Sequence, residues 1–206
     1  MTLTTKPPSS TITQASSPGD RIYLAFLPWV LFSLIAQHGL LQAAAVIALA
    51  ASVVIAAPSL LAGRPKLLEL GAVAAFAGFA CAAFLASPET GHWVAQYARA
   101  IAAALLALIA FTSLLFTPFT AQYARESVPR QFWSSPQFRQ INRRLTLMWG
   151  CVFAAMVPAH LIAGAAATGP ASLVFNWVIP VALVVWAAKR TAAAGGHPDD
   201  QTGTPR

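Results

Sequence analysis

Six apolar segments, near 22–37, 40–62, 67–87, 93–117, 145–164 and 171–188, set what this chain can fold into. Each is close to the roughly 20 residues that a helix needs to cross about 30 Å of hydrocarbon. A helix is also one of only two backbone structures that satisfy their own polar groups in lipid. The predicted fold class is therefore all-α: a polytopic transmembrane helical bundle of six spans. Composition agrees, since 57% of the 206 residues are hydrophobic and 9% charged, against about 25% charged in a soluble domain. The first segment is short and contains Pro28, which removes a backbone donor and is expected to bend the helix. It is read as an uncleaved first helix, because its charged flank is thin and the next span follows almost at once. Residues 1–20 and 191–206 carry few large apolar side chains and are read as disordered cytoplasmic tails.

The charges fix the predicted orientation. Lys6 and Arg21 precede the first span, Arg64 and Lys66 lie between the second and third, and Lys189 and Arg190 follow the sixth. Between the fourth and fifth, the stretch 118–144 holds Arg125, Arg130, Arg139, Arg143 and Arg144 against one acid, Glu126. The loops near Gln37-His38, 87–92 and 165–170 contain neither Lys nor Arg. Short loops rich in basic residues stay in the cytoplasm, so both termini and the basic loop 118–144 are predicted to be cytoplasmic. The net charge of +7 thus reads as topology and does not imply a nucleic-acid partner.

Chemistry-bearing residues are sparse. The six acids are Asp20, Glu69, Glu89, Glu126, Asp199 and Asp200. None lies deep in a span, and Glu69 only begins the third. No clustered carboxylates or histidines suggest a metal, no glycine-rich loop a nucleotide, and no Ser/His spacing a nucleophile. Cys81 and Cys151 fall inside apolar runs and read as small hydrophobes. The expectation is a non-enzymatic protein without cofactor or metal.

Polar groups inside a membrane call for a functional hypothesis. His92, Gln96 and Arg99 share one face of the fourth span at i, i+4, i+7. At 1.5 Å per residue Arg99 lies roughly 9 Å below the outer end of its helix, and His160 and Asn176 roughly 6 Å below the outer ends of theirs. Gln96, Arg99, His160 and Asn176 are thus candidates for a polar pocket open to the outside, suited to an anionic group or a water chain. The other reading is that Arg99 snorkels to the headgroups while His160 and Asn176 bond neighbouring helices. Gly71, Ala74, Ala75 and Gly78 give small-xxx-small spacing on the third span, which serves either close packing within the bundle or a homodimer contact.

The basic stretch interleaves Phe119, Tyr123, Phe132, Trp133 and Phe138 with its arginines. Aromatic side chains prefer the headgroup level and arginines attract anionic lipid, so the stretch is expected along the inner membrane face. Arg125, Arg130, Trp133, Arg139, Arg143 and Arg144 form a candidate lipid or partner face. The four-residue spacing of Arg139 and Arg143 fits a helix running on into the fifth span.

AFLPWVLFSLIAQHGLLQAAAVIALAASVVI at 25–55 resembles the opening of the bacterial intracellular septation protein A family. The pattern Pro129, Trp133, Asn142 and Trp149 is similar to that family's approach to its penultimate span. ARESVPRQFWSSPQFRQINRRLTLMWG also resembles a broader set of bacterial membrane proteins with an Ala-Arg-Glu, Phe-Arg and Thr-x-x-Trp-Gly signature. The resemblance implies a bacterial inner-membrane protein of envelope or septum maintenance that works through contacts with other membrane proteins, without catalytic residues. The alternative carried by the residues is a small transporter or permeation path for an anionic or polar solute, with Arg99 and His160 facing the substrate.

Overall fold

A computed structural model describes the chain from Asp20 to Gly195, and every regular element in it is helical. The expected tails at 1–20 and 191–206 lie outside the described residues, apart from Asp20 and residues 191–195, which are helical. In order the elements are α1 (Asp20–Leu24), α2 (Leu27–Ala36), α3 (Leu41–Leu61), α4 (Leu67–Leu85), α5 (Pro88–Ser113), α6 (Phe119–Ala124), a 3₁₀ turn (Arg130–Phe132), α7 (Pro136–Ala166), α8 (Gly169–Leu173), a π-helical turn (Val174–Val178) and α9 (Ile179–Gly195).

Five helical stretches are long and apolar enough to cross a membrane: α3, α4, α5, α7, and α8 with the π turn and α9. The first apolar segment is different. Its helical part, Ile22–Ala36, measures roughly 22 Å end to end. It is also interrupted at Ala25-Phe26, before α2 begins with Pro28 in its first turn. A proline ring crowds the carbonyl four residues back; here that residue is Leu24, where α1 ends.

Local signals set the other boundaries. Ser87 caps α5 by accepting from the Thr90 amide, and Ser135 caps α7 by accepting from the Phe138 amide. Pro88 and Pro136 each follow their cap, where a missing N–H costs nothing. These Ser-Pro starts place the beginnings of α5 and α7 at 88 and 136, and not at 93 and 145 where the fourth and fifth apolar segments begin, because capping chemistry extends a helix beyond its apolar part. α7 consequently runs unbroken through Arg139 and Arg143.

α2 supplies the centre of the core. Phe26 at its N-cap and Trp29 and Phe32 within it recur every three residues. Phe26 stacks on Trp149 of α7 with ring centroids 5.4 Å apart, while Trp29 and Phe32 pack on Phe76 of α4 at 4.8 and 5.3 Å. The shortest apolar segment thus joins α4 to α7. α5 and α7 form the most extensive helix pair, and small residues permit it: a Cβ added at Gly150 would meet the Phe111 ring at 2.7 Å. Gly71 likewise approaches Ile109 of α5, so half of the small-residue face on α4 packs inside the bundle. Ala74 and Gly78 on that face are exposed.

Candidate functional sites at the two ends of the bundle

One end of the bundle is built where α3 stops. Gly63, at φ +65°, takes the left-handed conformation after the helix. The Gly63 amide bonds the Leu60 carbonyl, and the Arg64 amide bonds the Ser59 carbonyl at 2.9 Å. This paired closure, which glycine favours because it lacks a Cβ, turns the chain sharply into Arg64-Pro65-Lys66 and starts α4. Glu69 then falls in the first turn of α4, where the helix dipole favours an anion.

Lys66 and Glu69 are both buried, at 7% and 5% exposure, so each needs partners. Lys66 Nζ lies 3.4 Å from Glu69 Oε1 and 2.7 Å from Glu126 Oε1. It also sits 4.3 Å from the centre of the Tyr123 ring. The Ser59 hydroxyl donates to Glu69 Oε2 at 2.5 Å, and the Tyr123 hydroxyl donates to Glu69 Oε1 at 3.3 Å. Burial, the Glu69 charge and its hydrogen bond, and the Glu126 charge together push the Tyr123 phenol far above its ordinary range.

Tyr123 and Glu126 come from the basic stretch, which is therefore folded into the bundle end and does not simply lie along a surface. α6 buries Phe119, Thr120, Ala121 and Tyr123. The Gln122 side-chain oxygen accepts from the Leu67 amide at 2.8 Å, capping α4 from a residue 55 positions later. The Phe119 amide donates to Ser113 Oγ, and the Thr120 hydroxyl donates to the Asn142 carbonyl at 2.9 Å. All five arginines of the stretch are exposed. Arg125 and Arg130 both lie over Trp133, 5.3 and 5.6 Å from the ring centre. The Trp133 indole donates to the Val128 carbonyl at 2.8 Å, which fixes the ring. Arg139, Arg143 and Arg144 stand on the first turns of α7.

The other end holds Gln96, Arg99, His160 and Asn176, of which the structure joins His160 to Asn176 and leaves Arg99 and Gln96 each bonded to other residues. His160 Nδ1 and Asn176 Oδ1 are 2.7 Å apart, and the Asn176 amide donates to Ser172 Oγ at 3.2 Å. Asn176 and Trp177 lie in the π-helical turn. Arg99 donates to the Ser33 carbonyl at 3.0 Å and to Gln37 Oε1 at 3.4 Å, and lies 5.6 Å from the Trp177 ring centre. Gln96 donates to the Gly164 carbonyl at 3.1 Å. Arg99 thus ties α5 to the end of α2, Gln96 ties α5 to α7, and His160 ties α7 to the last helical stretch.

A cleft of about 960 Å³ opens at the first end, between α3 and the cap. Lys66, Glu69, Tyr123, Ser59 and Gln122 were not among the residues that the sequence marked as a site. Two signals pointed to them: Lys66 and Glu69 at i, i+3 on a helix start, and Glu126 as the lone acid among five arginines. Among the described residues no three His, Cys, Asp or Glu side chains converge as a metal-ligand set. The chain matches no protein-family model, no curated protein and no solved structure.

Proposed function

We propose that this chain is a non-enzymatic, multi-pass protein of the bacterial inner membrane that works through contacts with other membrane proteins at its basic end. In this reading it has six spans, both termini are cytoplasmic, and its process is envelope or septum maintenance, as the septation protein A-like resemblance implies. One observation carries the contact role. The stretch 118–144 is anchored by buried α6 side chains while Arg125, Arg130, Arg139, Arg143 and Arg144 are all exposed. A rigid basic surface of this kind presents charge without an ordering cost on binding, and complementary charge selects partners.

Charge reversal at Arg139 and Arg143 tests it. Both side chains are exposed on a helix whose core contacts lie elsewhere, so the fold should survive. Cross-linked partner recovery and complementation of a deletion strain should be abolished. Normal recovery and complementation would refute the contact role.

A second reading, a permeation path for an anionic or polar solute, has its own support. Asn176 lies in a π-helical turn, an element found often at functional sites, and it joins His160 across helices. Under that reading Arg99→Ala eliminates transport at normal expression. Under the contact reading Arg99→Ala leaves complementation intact.

A further inference from the structure

The cleft at the basic end is lined by apolar side chains of α1 and α3, Leu24, Val54, Ile55 and Pro58, and by Arg64, Arg125, Arg130 and Trp133. Leu24 and Val54 are 47% and 72% exposed, as expected of side chains that face acyl chains. Between Val54 and the end of α3 the helix climbs roughly 11 Å, so the cleft runs from hydrocarbon depth to headgroup depth. Its four cations, Arg64, Lys66, Arg125 and Arg130, face two carboxylates, Glu69 and Glu126, which leaves a formal surplus of two positive charges. Lys66 is held by both carboxylates. The surplus therefore resides on the arginines, two of which are gathered on one fixed indole.

From this arrangement we infer that the cleft is a binding site for an anionic phospholipid. Its phosphodiester headgroup lies against Arg64, Arg125 and Arg130 beside Trp133, and one acyl chain runs down the Val54–Pro58 face. Guanidinium groups suit phosphate oxygens because they donate in a planar fork. The volume of about 960 Å³ exceeds what a phosphate ion fills and accommodates a headgroup with the upper part of a chain. The inference rests on the membrane reading of the bundle but not on which side this end faces, nor on the protein-contact role.

The test is lipid retention by the purified full chain in detergent, read by native mass spectrometry, with phosphatidylglycerol and phosphatidylcholine of identical acyl chains. The wild-type chain should retain phosphatidylglycerol with about a tenfold preference. Arg125→Gln with Arg130→Gln should reduce that preference to about twofold or less, and Arg139→Gln with Arg143→Gln should keep it. Arg64→Gln, which leaves α6 and Trp133 untouched, should lower it on its own and serves if the first pair disturbs folding. Equal retention of the two lipids by the wild type, or equal losses from the two arginine pairs, would overturn the site. So would displacement of the lipid by millimolar inorganic phosphate, since a free anion would then suffice. A charge reversal at Arg139 and Arg143 that spares complementation refutes the contact role alone, so the two failures are distinguishable.

Discussion

The two ends of this bundle hide polar groups by different means. At the end carrying Arg99, His160 and Asn176, the links run between neighbouring spans, and most are hydrogen bonds to backbone or neutral side chains. At the basic end, the Lys66–Glu69 pair is closed by Tyr123 and Glu126, brought by a chain segment more than fifty residues away. Groups without a buried counter-charge are satisfied by adjacent helices. A buried ion pair needs further donors and acceptors, and the α6 cap supplies them. The loop between α5 and α7 is thus as much a part of the packed structure as the long helices.

The basic end is most sensitive at Lys66. Lys66→Met leaves Glu69 buried without its cation and should cost about 3–5 kcal/mol in reversible unfolding. Adding Glu69→Leu should recover most of that loss, whereas a loss unchanged in the double variant would mean that the pair is not the source.

Tyr123 gives the next largest effect, and it depends on pH. Its folded-state value is raised, so the folded chain holds the phenolic proton where the unfolded chain has released it. Stability is fully present below the ordinary value of about 10 and should fall by up to about 1.4 kcal/mol per pH unit above it. Comparing unfolding of the wild type and Tyr123→Phe between pH 9 and 11, both approximate bounds on that window, the variant should lack this component of the slope. Parallel slopes would contradict the buried position of Tyr123.

Effects at the opposite end are smaller. Arg99→Ala removes one charged donor from the Ser33 carbonyl and should cost about 1–2 kcal/mol. A double-mutant cycle on His160→Leu and Asn176→Leu should return a coupling of about 0.6 kcal/mol. A coupling above about 3 kcal/mol would mean that this end is as strongly tied as the other.

Much of the fold was legible in the sequence because apolar length is a local property. The segments read at 40–62 and 67–87 are the helices Leu41–Leu61 and Leu67–Leu85, and the tight turn at Gln37-His38-Gly39 holds a glycine at φ +75°. Helix starts were less legible from hydropathy, since Ser87-Pro88 and Ser135-Pro136 act through capping. Arg99, His160 and Asn176 were marked by their cost in a membrane, and helix rise placed His160 and Asn176 at matching depths. The Ser59–Glu69–Tyr123–Lys66–Glu126 network was not legible. Its members are separated by a turn and by two long helices, and no periodicity joins them. The readable trace was an imbalance, with one acid set among five arginines and one Lys-Glu pair opening a span.

Cysteine accessibility in intact cells, on a background without Cys81 and Cys151, reports which side the basic cap faces and whether the opposite end is open to water. Single reporters stand at Ser87, Ser134 and Thr168, with a second set at Gln96 and Asn176. Labelling is expected at Ser87 and Thr168, with protection at Ser134 and at Gln96 and Asn176, whose side chains bond neighbouring helices. Labelling at Gln96 and Asn176 would favour a water-filled path over the contact role. Labelling at Ser134 would place the basic cap outside the cell and overturn the proposed orientation of the bundle.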